Sequence, residues 1–117
     1  MKLQCLESVE LFFTKKHCLL GEEVLKKISY NAEAFSQLPY FNTQFDLKPV
    51  LSSLNVPALN IYGEADFRIP ACHSKMAENL NQLVQNHEMK DVGHFPFVES
   101  PDAFCSTVLK WFESIGE

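Results

Sequence analysis

Long apolar runs, paired cysteines and clustered positive charge are all missing from this chain of 117 residues. The longest apolar stretches are only a few residues, whereas a helix that crosses a bilayer needs about 20. Met1-Lys2 leads into the mixed stretch Leu3-Gln4-Cys5-Leu6-Glu7-Ser8 rather than the apolar core of a secretion signal. The expected location is therefore cytoplasmic, with no membrane partner. Lys15-Lys16 and Lys26-Lys27 are the only basic pairs in a chain of net charge −5. Gripping a phosphate backbone takes a clustered basic face, so no nucleic-acid partner is expected. Cys5, Cys18, Cys72 and Cys105 form no C-x-x-C pair, and no histidine stands at zinc-ligand spacing from them. No metal and no other cofactor are expected. The four thiols should be free, buried or half-buried as small apolar groups.

What is present suits one ordinary domain. Hydrophobic residues make up 46% and phenylalanine alone supplies ten, which excludes a disordered segment. Over residues 3–20 the apolar side chains Leu3, Leu6, Val9, Leu11, Phe12, Phe13, Leu19 and Leu20 fall at roughly helical spacing. Gly21 interrupts them as a residue just past a helix end. Glu22-Glu23 then stand in the first turn of a new amphipathic helix, carried by Val24, Leu25, Ile28, Ala32, Phe35 and Leu38 and ending near Pro39. After a loop over residues 40–45, Asp46 is the expected cap of a short helix through Ser53.

The second half changes character. Val56-Pro57-Ala58-Leu59-Asn60-Ile61-Tyr62-Gly63 predicts a short strand closed by glycine. Ile69-Pro70 opens a helix of about a dozen residues with Ala71, Met76, Ala77, Leu80 and Leu83 on its apolar side. Residues 85–90 are polar and weakly β-prone, which fits a solvent-facing edge strand. Pro101 starts the last helix, with Phe104, Val108, Leu109, Trp111 and Phe112 as its buried stripe. A strand-helix-strand step joins parallel strands, and α/β folds keep their ligands at the strands' carboxyl ends. Asp66 and His94 each fall just past such an end. With neighbouring strands about 4.8 Å apart, a carboxylate there can reach the imidazole and orient it as a base.

Two runs resemble a known family. Val56-Pro57-Ala58-Leu59-x-Ile61-Tyr62-Gly63-Glu64-x-Asp66-x-x-x-Pro70 is similar to the last-but-one strand and acid turn of α/β-hydrolases. Val92-Gly93-His94-Phe95-Pro96-x-x-Glu99-x-Pro101-x-x-Phe104 resembles their histidine loop and final helix. The likeness covers residues 46–113 in order and spacing. It implies that Asp66 is a triad acid, that His94 is the general base, and that Gly93 lets the backbone turn sharply into the loop. Residues 1–45 would be a cap-like helical segment, and residues 46–117 the C-terminal part of the hydrolase core. Phe45-Asp46-Leu47-x-Pro49-x-Leu51 most resembles proline-iminopeptidase-type aminopeptidases, while epoxide hydrolases, esterases and C–C bond hydrolases share much of the same pattern. In iminopeptidases cap acids hold the substrate amine, and Glu7, Glu10, Glu22, Glu23 and Glu33 are the possible counterparts.

The departure from the family is large. Its nucleophile elbow, G-x-S-x-G, needs glycines four apart, and Gly21, Gly63, Gly93 and Gly116 provide no such pair. The fold class expected is thus a partial α/β-hydrolase: cap-like helices, then the last two parallel strands and their helices. His94 has no nucleophile to activate, so the chain alone is expected to be inactive. Its peptide or small-molecule substrate would bind only after completion by a nucleophile-bearing chain. Phe95 and Phe97, beside His94, are the expected pocket lining. His17, His73 and His87 are expected to be solvated, and Asn60 to bond a neighbouring backbone group. Glu64 competes with Asp66 as the acid, with the family spacing favouring Asp66. Two strands alone make a poor sheet, and a bare strand edge invites pairing. A homo-oligomer is therefore expected, or a complementary chain that covers the edge. The alternative is a non-catalytic interaction or dimerisation module derived from a hydrolase.

Overall fold

The computed structural model describes residues 14, 18–27, 29, 31, 33, 36–37 and 45–116. Helix α1 spans Cys18–Lys27 and α2 Lys48–Ser52. Strand β1 (Ala58–Gly63) is followed by helix α3 (Ala71–Leu80) and strand β2 (Val84–Met89). Two helices close the chain, α4 (Pro96–Glu99) and α5 (Pro101–Ile115). The strands pair in parallel from Ala58 opposite Val84 to Gly63 opposite Met89. Their order is the expected strand-helix-strand unit, a mixed α/β arrangement.

Paired residues of parallel strands share a face, and the two faces of this sheet are covered differently. On one, the Asn60 amide donates to the Ser74 carbonyl and to Asn86 Oδ1, and Asn86 donates to the Lys75 carbonyl. The polar pair thus docks α3 onto both strands, as expected of an asparagine in an apolar strand. Beside it Lys75 bridges Glu88 at 3.2 Å. Burial, and after it the Glu88 charge, pushes the Tyr62 phenol above its ordinary pKa. On the other face Leu59 and Ile61 look toward Phe104, Val108, Trp111 and Phe112 of α5 across an open groove of about 430 Å³. Among the described residues the fully buried large apolar side chains are Tyr62, Val84, Met89 and Val92. Tyr62, Met89 and Val92 lie at or just past the strands' carboxyl ends, while Val84 stands at the opposite end of β2.

Several expectations are corrected. Gly21 lies inside α1 and Glu22-Glu23 in its middle, so the break expected at Gly21 is absent. The helix ends at Lys27, with Lys26 and Lys27 placing positive charge in its last turn, where the helix dipole favours it. Ser29 and Asn31, poor helix formers, are not helical. No single helix therefore runs on toward Pro39. Most of the first expected helix lies outside the described residues, as does His17. Leu47, not Asp46, occupies the N-cap of α2, and the Asp46 carboxylate instead accepts from Lys48 N at 3.0 Å. Strand β2 is not solvent-facing throughout, since Val84 and Met89 are buried. His87 on it is half-buried, with Nε2 3.3 Å from Thr107 Oγ1 of α5, rather than plainly solvated. Cys72 and Cys105 are free, as expected, but exposed. In α3 Met76 is exposed, and Leu83 lies beyond the helix on exposed backbone. The stripe of α5 is only half-buried at Phe104, Val108 and Trp111, while Leu109 and Phe112 are exposed. Short helix α4 was not foreseen. No helix among the described residues is long and apolar enough to cross a membrane.

Candidate functional site

The two turns that carry Asp66 and His94 are stitched together by backbone. As β1 ends, Glu64 N donates to the Met89 carbonyl at 2.9 Å and Ala65 N to the Val92 carbonyl at 3.0 Å. This close approach requires glycine at the last position of β1. A Cβ on Gly63 would collide with the carbonyl oxygens of both Val92 and Gly93. The glycine that closes the strand therefore also lets the histidine loop lie against the acid turn.

Asp66 is buried and uses both oxygens. Oδ1 accepts from Arg68 N at 2.8 Å and Ile69 N at 2.9 Å, which folds the turn leading to Pro70 and α3. Oδ2 lies 2.8 Å from His94 Nδ1. A carboxylate only accepts, so Nδ1 carries the proton and the neutral ring keeps its lone pair on Nε2. That is the orientation a general base needs. The imidazole is a quarter exposed, against 7% for the Asp66 side chain. The acid is thus shielded while the base remains within reach of a partner group. Glu64 is exposed and its carboxylate accepts from Asp91 N at 3.3 Å, so Asp66 and not Glu64 meets His94.

The sharp turn into the loop is made at Asp91, whose φ of 54° lies in the left-handed region, and no described glycine has a positive φ. This corrects the role expected of Gly93. Aspartate tolerates that region better than most residues.

Pro96 in the first turn and the bonds from Val98 N and Glu99 N to the Phe95 carbonyl then form α4 directly after the histidine. Phe95 stands edge-on to His94 with ring centres 5.0 Å apart. Phe97 packs edge-on against Phe95 and Phe104, each at 6.0 Å, and is itself exposed. The structure therefore brings Phe95 to the imidazole and leaves Phe97 one ring further out.

Glu22 is half-buried and Glu23 and Glu33 are exposed, while Glu7 and Glu10 lie outside the described residues. Among the described residues no three His, Cys, Asp or Glu side chains converge as a metal site.

Glu99, which stands in the histidine-loop run without a role in the sequence reading, is buried. Glu99 accepts from Gly93 N at 2.7 Å and from Thr14 N and Oγ1 at 2.9 and 3.1 Å. The available signal was an acid between Val98 and Ser100, inside an otherwise apolar run bounded by Pro96 and Pro101.

No protein-family model matches the chain. It is 32% identical over 96 residues to a pimeloyl-[acyl-carrier protein] methyl ester esterase of Vibrio cholerae serotype O1, covering 80% of this chain and 36% of that protein. An enzyme of the same name from Salmonella newport is 30% identical over 64 residues, 55% of this chain and 25% of its own length. The chain thus spans little more than a third of the first relative. Among solved structures, a membrane phospholipase A matches with a TM-score of 0.75 at 19% identity, covering 100% of this chain and 39% of its own. With parallel strands whose carboxyl ends carry the acid and histidine turns, the chain has a partial α/β-hydrolase fold.

Proposed function

We propose that this chain supplies the acid and base of an ester hydrolase whose nucleophile lies on a complementary segment. The observation that carries the proposal is the 2.8 Å contact between buried Asp66 Oδ2 and His94 Nδ1. In this scheme His94 Nε2 takes the proton of an incoming nucleophilic hydroxyl and later gives it to the leaving group. Asp66 holds the tautomer and offsets the charge that forms on the ring. Phe95, and Phe97 beyond it, line the pocket beside His94. None of the relatives named above is an aminopeptidase, and two are esterases. We therefore favour an ester over the prolyl amide that the resemblance to iminopeptidases implied.

The test combines the chain with a nucleophile-bearing N-terminal hydrolase segment and follows p-nitrophenyl ester turnover. Asp66→Asn should reduce kcat of the complex by roughly 10⁴-fold, because the amide favours the wrong tautomer. Turnover left within about tenfold would sink the proposal, since it would remove the acid from the mechanism. Ester hydrolysis by the isolated chain, abolished by His94→Ala, would show that the nucleophile is already present. The open groove beside α5 favours a second reading, a non-catalytic interaction module. In that case the chain binds its partner and Asp66→Asn changes no turnover.

A further inference from the structure

Glu99 is buried, and the acid–base pair makes no direct use of it. Taking a carboxylate out of water is unfavourable unless hydrogen bonds replace its hydration. Among the described residues three donors do so, the shortest bond being from Gly93 N at 2.7 Å to Oε2. Oε1 takes the backbone N and the hydroxyl of Thr14, 85 positions away in the chain.

Gly93 is the residue directly before His94, and glycine has the widest backbone freedom of any residue. It is therefore the softest link between β2 and the imidazole. On its amino-terminal side the Val92 carbonyl is held by Ala65 N of the acid turn. On its own amide it is held by Glu99. The two bonds restrain the Val92–Gly93 segment from opposite directions, and this segment decides where the His94 ring stands relative to Asp66.

We propose that Glu99 is a positioning residue. Its carboxylate restrains the Gly93 amide so that His94 Nδ1 faces Asp66. By holding Thr14 through its other oxygen, it also couples the orientation of the base to the position of Thr14. The purpose of this clamp rests on the acid–base proposal above; its geometry does not.

The test is nuclear magnetic resonance on the chain as it stands. Two protons are followed, the downfield His94 Nδ1–H and the Gly93 amide, each for exchange with water. Both should be protected in the unaltered chain. In Glu99→Ala the His94 proton should exchange roughly tenfold faster, the scale expected on losing one charge-assisted bond. Glu99→Gln keeps one acceptor oxygen, enough for either the Gly93 amide or Thr14 but not both, and should restore part of the protection. Thr14→Ala, which deletes only the hydroxyl bond, should give an intermediate rate.

A folded Glu99→Ala chain with His94 exchange unchanged would overturn the proposal. If that variant does not fold, the unaltered chain still decides, because an unprotected Gly93 amide there also overturns it. Protection at Gly93 without any protected His94 proton would instead leave the clamp standing and remove the acid–base proposal.

Discussion

The carboxyl-end rim of the sheet and its α5 face are built from similar material and finished very differently. At the rim, Asp66 and Glu99 are buried with every carboxylate oxygen hydrogen-bonded, and Val92 between them is 2% exposed. No buried side-chain nitrogen or oxygen among the described residues lacks a partner. Along the α5 face, Phe112 is 57% and Leu109 63% exposed, and a groove stands open beside β1. The rim closes because Asp66 and His94 lie in two neighbouring turns of one strand-helix-strand unit, and Glu99 of α4 ties the histidine turn to Thr14. The α5 face has one helix and two strands, and apolar surface remains in water. The edge that carries Asp66 and His94 can thus be fully hydrogen-bonded while apolar surface on the α5 face stays exposed.

The largest effect should come from tightening the rim where it has no room. Gly63→Ala places a methyl group against the carbonyls of Val92 and Gly93, and backbone cannot move aside as a flexible side chain does. The expected cost is about 3 kcal/mol or more, a large part of what a small domain possesses. Urea unfolding should lose its cooperative transition or move far toward zero denaturant. A midpoint close to that of the unaltered chain would mean that the two turns do not approach so closely.

Removing the acid should cost less. Asp66→Ala deletes the acceptor for Arg68 N, Ile69 N and His94 Nδ1, for an expected loss of about 2 kcal/mol. Asp66→Asn keeps an oxygen for the turn and should lose about half as much. Equal losses in the two variants, measured by the same urea titration, would show that the turn bonds contribute nothing.

The rim is also the part most legible in the sequence, for a physical reason. Glycine at 63 marks the end of the first strand, the order strand-helix-strand implies a parallel pair, and such a pair brings the turns that carry Asp66 and His94 to one edge. The resemblance places the sharp turn into the loop at Gly93, whereas the left-handed residue is Asp91, a residue type that accepts that region. Glu99 was passed over because nothing local marks an acid whose partners are a preceding amide and Thr14 far upstream. At α1 the glycine at 21 looked like an ending, whereas a helix can run through it at a modest cost. Periodicity found the correct stripe on α5 but could not tell whether anything covers it. It reports which side of a helix is apolar, and burial depends on what stands opposite.

That last point yields the smallest expected change in stability and separates the two regions most cleanly. Phe112 projects from α5 at the mouth of the groove, touching Trp111 edge-on with ring centres 5.1 Å apart, and is mostly in water. Phe112→Ser should therefore shift unfolding of the isolated chain by no more than about 0.5 kcal/mol, as for other exposed sites. Its effect should appear in association, because contiguous exposed apolar surface is what draws chains together. Sedimentation velocity at rising concentration should show the unaltered chain self-associating and the variant doing so less. If the variant lost stability comparable to Asp66→Ala, the α5 face would be as complete as the rim, and the contrast between them would disappear. If stability and association were both unchanged, the uncovered face would not be where chains meet, and the flank of β1 that pairs with no described strand would be the next place to look.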